Sequence, residues 1–294
     1  NIAARTLPFG RGDVVLSTAG EFPANVYPWM SATRARGAEF RMLPLAGHHP
    51  DEAALMRAID TDARVKGVAL SWVSYWSGHR FDLAAIGAAC RKRGIWFFVD
   101  AIQGVGAVEL DAIAAQVDVL SCGAQKWLLS PWGTGFAYVR PELVRALEPA
   151  EVGWMAQPAT ADFRALLDYD PTWHDDARRF EVVTLDFVNF AAMTESIGLF
   201  LELGMRDVAA RVQALADRAV AFVGAHPALE LVTPAEPSRR AGVIAIRARD
   251  VDGASQRLKD GRVFHAVREG CVRLAPHLYN TAAEVDLALR LVAG

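Results

Sequence analysis

Two side chains equipped for covalent and acid–base chemistry stand where apolar runs end. Asp100 closes the segment IWFFVD, and Lys126 lies in SCGAQKWLLSP, with Gln125, Trp127, Leu128 and Leu129 as neighbours. The chain has only four lysines. Lys66, Lys92 and Lys259 sit in ARVKG, CRKRG and RLKDG, company that keeps an ammonium in water. Lys126 does not. Desolvation lowers the pKa of an amine and frees it as a nucleophile toward aldehydes. The competing reading is a lysine whose stem packs on apolar neighbours while its head snorkels to water. Asp100 is followed by the small-residue turn AIQG. An acid in that place can cap the next segment, bind a metal or a ribose, or face a flat ligand that the turn admits. A third candidate is Arg273 in EGCVRLAPHLYNT. On a strand it projects to the face opposite Val272 and Leu274, where by itself it reads as a solvated edge charge.

The surrounding elements have to bring these groups together. Strand-like and helix-like segments alternate up to about residue 150: strands at 13–18, 38–45, 65–74, 95–100, 117–123 and 135–139, and helices at 24–37, 50–60 and 82–94. Near-continuous apolar strands alternating with helices mean a mostly parallel sheet sandwiched by helices, an α/β fold. Such sheets bind ligands at the carboxyl ends of their strands, where Asp100 and Lys126 both fall. A loop-rich stretch, 151–183, carries Trp154, Tyr169, Trp173 and His174. A helical pattern over 187–225, broken near Gly204, then leads to short strands and a final helix from Thr281. We therefore expect a large unit over residues 1–186 and a smaller C-terminal α+β domain over 187–294.

The bulk composition narrows the class. Hydrophobic residues make up 52% and charged residues 22%, which is globular, and the net charge of -3 is spread without a basic stripe. Neither nucleic acid nor an anionic membrane surface is indicated. No apolar run is long enough to span a bilayer. The three cysteines, Cys90, Cys122 and Cys271, are odd in number and far apart, so a reducing cytoplasm is expected rather than a disulfide framework. The chain opens at NIAARTLPFG as if inside a helix, and an N-terminal segment is expected to precede it.

An amine and a carboxylate at neighbouring strand ends suit pyridoxal phosphate, which needs a Schiff-base lysine and a carboxylate on its pyridinium nitrogen. The stretch VDAIQGVGAVELDAIAAQVDVLSCGAQKWLLSPWGTGFAYV resembles the cofactor core of class V aminotransferase-like enzymes. These belong to the fold-type I pyridoxal-phosphate group, with cysteine desulfurases, kynureninases and isopenicillin N epimerases. The family pattern is Asp-x-x-Gln after a strand, then a lysine, then a Gly-rich strand. Asp100, Gln103, Lys126 and WGTGFAYV match it. The resemblance implies the fold, the cofactor, a Schiff base at Lys126 and an amino-acid or amine substrate. It also implies that Asp100 pairs with the pyridinium nitrogen and Gln103 reaches the phenolic oxygen. By likeness to STAGEFPANVYPW, Phe22 stacks on the ring. Gln125 helps hold the phosphate, although the family's Ser-x-His-Lys reads Gly123, Ala124, Gln125, Lys126 here. Thr184 in ARRFEVVTLDF matches a threonine that reaches the partner subunit's phosphate, with Val183 in place of the family's glycine. Anchoring of the substrate's α-carboxylate falls to Arg273, while Arg179 and Glu181 read as an exposed ion pair. A homodimer is implied as well. The Gly/Ser/Thr-rich turn that cradles phosphate in relatives would lie before Asn1.

Among the family's reactions, desulfuration needs a thiol on a mobile loop ahead of the arginine. Cys271 is too close to Arg273, and no other thiol is well placed. Transamination is expected, with epimerisation or a lyase reaction as the alternative. The aromatic residues of 151–175 suggest a bulky substrate. Two readings of other classes compete. A Rossmann dehydrogenase would use GVG at 104–106, which lacks the rest of its fingerprint. A non-enzymatic relative would lack Lys126 or Asp100, and both are present. Metal chemistry through His48 and His49 lacks partner ligands.

Overall fold

The computed structural model describes residues 1–294. The elements in chain order are α1 (Ile2–Thr6), β1 (Val14–Thr18), α2 (Tyr27–Arg36), β2 (Glu39–Leu43), β3 (Leu45–Ala46), β4 (His49–Pro50), α3 (Glu52–Thr61), β5 (Val65–Ser71), α4 (Leu83–Arg93), β6 (Trp96–Asp100), β7 (Val119–Gly123), β8 (Gly135–Val139) and α5 (Pro141–Val144). There follow α6 (Phe187–Leu203), α7 (Met205–Gly224), β9 (Leu229–Leu231), β10 (Ile244–Ala248), α8 (Val251–Asp260), β11 (Ala266–Arg268), β12 (Cys271–Leu274) and α9 (Ala282–Ala293).

The large sheet has the order β2-β1-β5-β6-β7-β8, parallel throughout except for the antiparallel edge strand β8. Alternation along each strand feeds two cores. Val14, Leu16, Phe97, Val99 and Leu120 pack against Leu55 and Ile59 of α3, Leu83 and Ile86 of α4, and Met193 and Phe200 of α6. Val15, Ala69, Phe98 and Val119 face the other way, onto Ala4 of α1, Trp29 and Ala32 of α2, and Leu143 of α5. The strands read as unbroken apolar runs because both faces are covered. Asp51 and Asp82 cap α3 and α4 by accepting the amides of Ala54 and Ala85, while Gly37 and Gly94 end α2 and α4 in the left-handed conformation.

Two boundaries differ from the sequence reading for physical reasons. The helix expected from residue 24 starts at Tyr27, because Pro23–Asn25 forms a separate 3-10 turn. The strand expected over 65–74 stops at Ser71, where the chain folds back and the Ser74 amide donates to the His79 carbonyl at 2.8 Å.

The second sheet, β11-β12-β10-β9, is wholly antiparallel. Ile244, Ile246, Val272 and Leu274 bury one face against α7, α8 and α9. The opposite face, with Ala245 and Cys271, packs on Trp76 and Tyr75 of the loop after β5. Arg273 is the register partner of Ala245 and shares that inner face.

A polar seam fastens the two sheets. Glu52 accepts from His79 Nε2 at 2.7 Å and from the Arg239 guanidinium, and Glu230 meets His48 at 2.8 Å and Arg247 at 3.0 Å. The His49 ring stacks on His79 with centroids 5.4 Å apart. Burial holds both imidazoles down, from 6.5 to about 4. At His49, the neighbouring His79, His48 and Arg239 depress it further. The unfolded chain protonates these rings near 6.5 and the folded chain resists until about 4, so their contribution to stability is lost as pH falls across that window. The urea midpoint should drop between pH 6.5 and pH 4, and the double variant His49→Gln/His79→Gln should show a shallower drop. Equal drops in both proteins would contradict this assignment.

Candidate active site

Lys126 follows β7 in a loop whose backbone is tied to itself. The Ala124 amide donates to Thr134 O at 3.0 Å, and the Ser130 amide to Ala124 O at 3.1 Å. The next residue, Trp127, is the anchor. Its indole N–H donates to Gln103 Oε1 at 2.9 Å, and its carbonyl accepts from His277 Nε2 at 3.0 Å. His277 Nδ1 accepts the Leu278 amide at 2.8 Å, so the proton sits on Nε2 and the neutral ring is fully used. Burial keeps that imidazole below its ordinary pKa. The His277 ring also stacks on Trp127, with centroids 5.1 Å apart. With Trp127 buried, the half-buried Lys126 side chain is delivered to the carboxyl ends of the strands.

Three of the expected groups meet Lys126 there. Its Nζ lies 5.7 Å from the centre of the Phe22 ring. Burial lowers the Lys126 pKa; the Asp100 carboxylate opposes that shift and the Arg273 guanidinium reinforces it. Burial likewise raises the Asp100 pKa, while the Ile102 amide and Lys126 pull it back. Only Oδ1 of Asp100 is occupied, by that amide at 3.1 Å, and Oδ2 remains free for a ligand. The turn behind Asp100 is filled by protein: the Gly104 backbone lies on the Trp72 ring and that of Gly106 on the Trp127 carbonyl. This GVG segment therefore does not open a helix toward a dinucleotide.

Arg273 donates from Nη1 to the Tyr75 carbonyl, and its Nε is buried without a partner. Burial lowers its pKa, as does Arg268 nearby. β11 and β12 are joined by Glu269 and Gly270 alone, both with positive φ, 48° and 71°. A two-residue turn of this kind leaves no loop to carry a thiol over the site. The three cysteines are buried, and burial pushes the Cys90 and Cys122 thiols up to about 12. None is a ready nucleophile.

Other expectations fared differently. Gln103 is buried with its oxygen committed to Trp127, and only its amide nitrogen lacks a protein partner. Gln125 folds over the Cα of Gly123, where a side chain would meet its Oε1 at 2.5 Å. Thr184 accepts from the Trp154 indole at 3.2 Å and makes no hydrogen bond to residues around Lys126. Arg179 and Glu181 do not form the exposed pair read from the sequence: Arg179 is only 8% exposed and its Nε has no partner. Trp154 packs edge-on against Phe163, and Tyr169 is 83% exposed, so within one chain these aromatics do not line the site. The sequence reading missed Glu21, which accepts from Ser71 beside Asp100, and Tyr75, which holds Arg273. The acid directly before Phe22 was a usable signal for the first. Nothing local pointed to the second, a carbonyl contact across 198 residues of chain.

The arrangement fits pyridoxal phosphate on this structure's own terms. It offers an amine with lowered basicity, a carboxylate with a free oxygen at a neighbouring strand end, an aromatic face between loop and lysine, and a buried guanidinium N–H awaiting an acceptor.

Comparison with known proteins agrees. A model of the aminotransferase class-V family matches residues 1–287. An uncharacterized aminotransferase of Bacillus subtilis is 29% identical over 100% of this chain and 75% of its own length. Isopenicillin N epimerase of Streptomyces clavuligerus is 27% identical over 97% of this chain and 75% of its own length. A cysteine desulfurase of Klebsiella pneumoniae is 30% identical over 97% of this chain and 71% of its own length. Among solved structures, the apo cysteine desulfurase of Thermococcus onnurineus superposes with a TM-score of 0.86 at 20% identity, covering 99% of this chain and 75% of that one. The cystine C-S lyase C-DES, crystallised with its product cysteine persulfide, gives 0.87 at 22% identity, covering 99% and 78%. These last two likenesses concern the fold.

Gly106 tests the anchoring of Lys126. Its φ is 92°, and a Cβ there would stand 2.3 Å from the Trp127 carbonyl oxygen, a backbone atom that cannot swing aside. Gly106→Ala should cost at least about 2 kcal/mol in urea unfolding and weaken pyridoxal phosphate binding. A variant with unchanged stability and affinity would show that the contact does not position Lys126.

Proposed function

This chain belongs to the aminotransferase class-V family, whose cofactor is pyridoxal phosphate, and from that premise we propose that it is an enzyme acting on an amino acid with Lys126 as its catalytic residue. The observation that carries the reading is the half-buried Lys126 amine, set against the Phe22 ring and coupled to Asp100 on one side and Arg273 on the other. When bound, the cofactor supplies an electron sink that stabilises negative charge on the substrate's α-carbon.

The chain's own residues do the rest. Asp100 would hold a proton on the ring nitrogen through its free carboxylate oxygen. Gln103 offers its Nε2 while Trp127 keeps the amide from turning. Phe22 would cover the ring face beside Lys126, and Gln125 and the Gly123 backbone would be the groups to meet the phosphate. Arg273 leaves the Tyr75 carbonyl and takes the substrate's α-carboxylate with its planar fork. Lys126, its basicity lowered mainly by burial, accepts the α-proton as a general base.

Transamination is the reading we favour, supported by the likeness to the Bacillus aminotransferase. Epimerisation shares the same first step and differs in where the proton returns; it is supported by the likeness to isopenicillin N epimerase. Cysteine desulfuration through an enzyme thiol is disfavoured by the two-residue turn before Cys271. We also propose a homodimer. Val183, Phe187, Val188 and Leu201 leave a large apolar area exposed around the start and outer face of α6, beside Thr184. Monomeric mass in sedimentation at micromolar concentration would contradict it.

The common step is open to direct measurement. With pyridoxal phosphate in D2O, NMR of an amino-acid panel should show loss of the α-proton for at least one substrate. Lys126→Ala should abolish that exchange. Arg273→Ala should retain it but weaken substrate binding about 10- to 100-fold, the range for a lost charge-assisted hydrogen bond. Undiminished exchange in Lys126→Ala would overturn the assignment.

A further inference from the structure

Glu21 is a carboxylate that the scheme above leaves unused. It sits in the loop after β1, directly before Phe22. Its Oε1 accepts the Ser71 amide at 2.7 Å, and its Oε2 takes the Ser71 hydroxyl and the Asn25 side-chain amide, the latter at 3.1 Å. Asn25 is itself buried and accepts from the Trp29 indole of α2 at 3.1 Å. Ser71, the last residue of β5, is the register partner of Asp100, the last residue of β6. One carboxyl group therefore ties the Phe22 loop to α2 and to the strand end next to Asp100, and Asp100 is close enough to act on it electrostatically.

We propose that Glu21 is a positioning residue of the cofactor site, clasping the Phe22 loop to the end of β5, and that the charge it gains on ionising is felt at Asp100. This rests on the cofactor reading above. The group titrates in a useful range. Burial lifts it to about 7 against the pull of Ser71 and Asn25, and repulsion from Asp100 adds to the lift. The charged or titratable groups facing it are Asp100 from β6 and Tyr75 from the loop after β5. The remaining walls, Thr18, Leu45, Pro50, Ser74, Trp76 and Phe81, bring no charge. Ionised Glu21 adds a second negative charge beside Asp100, which favours the proton shared between Asp100 and the ring nitrogen. Neutral Glu21 withdraws that support.

The test is the visible absorbance of the pyridoxal-phosphate-loaded protein across pH 5.5–9, with cofactor affinity measured alongside. The wild type should show a spectral transition near neutral pH. In Glu21→Gln the amide oxygen still accepts the Ser71 amide and the amide nitrogen can donate to the Ser71 hydroxyl, while the bond from the Asn25 amide is lost. That variant should bind within about fivefold of the wild type, the range for one lost hydrogen bond, and lack the transition. Glu21→Ala should bind at least about tenfold more weakly, with the loop released. A purely structural carboxyl would change affinity without removing the transition, so a wild-type transition in Glu21→Gln overturns the electrostatic part. Wild-type affinity in Glu21→Ala overturns the clasp. Should the wild type bind no cofactor, the functional reading fails, and the apoprotein still decides the clasp: Glu21→Ala should speed proteolytic cleavage within residues 19–25, and an unchanged rate contradicts it.

Discussion

The site depends on how one tryptophan is buried. In the role we propose, Lys126 cannot be pinned through its own side chain, because that side chain would have to stay free to react. Its position is set by Trp127, whose indole N–H is held by Gln103 from the turn after β6 and whose carbonyl is held by His277 from the segment after β12. Gly106 and Gly242 are bare where they meet it, one at the carbonyl and one at the ring, because a side chain on either would collide. Three segments far apart in sequence thus converge on the residue next to the amine. Burying a large aromatic with its N–H satisfied gives stability and orientation from the same contact. The second sheet follows from this: His277 fixes the chain leaving β12, and the seam of Glu52, His79, Arg239, Glu230 and His48 holds the face that carries Arg273 over the strand ends.

Much of this was readable from residue types. The strands of the large sheet announced themselves as apolar runs, and Asp100 and Lys126 stood out as charges at their ends. Arg273 was placed on the correct face because alternation along a strand fixes that face. What stayed hidden was what local pattern does not encode. The bland reading of Arg179 and Glu181 was an exposed ion pair, yet burial is decided by what packs on top, and Arg179 is covered. The aromatics of 151–175 looked like pocket lining, but Trp154 turns to Phe163 and Thr184. The double role of Trp127 and the Tyr75 contact of Arg273 are long-range, and neither leaves a mark on its neighbours in sequence.

Electrostatically, the site is kept by burial in a state that favours exchange of partners. Lys126 is made less basic and Asp100 less acidic than they would be in water, and each partly offsets the other. Arg273 rests on a neutral carbonyl, with one N–H unmatched. A carboxylate is a better acceptor than a carbonyl, so in the role we propose for Arg273 a substrate carboxylate would draw it from Tyr75. The β11–β12 turn is two residues long and the Cys271 thiol beside it is turned into the core.

The most direct test of Lys126 as the residue that holds the cofactor is covalent mapping. The protein is incubated with pyridoxal phosphate, reduced with borohydride, digested and analysed by mass spectrometry. The account predicts one stoichiometric, reduction-stable adduct on the peptide containing Lys126. Adducts distributed over Lys66, Lys92 and Lys259, or bound cofactor with no adduct at Lys126, would contradict it.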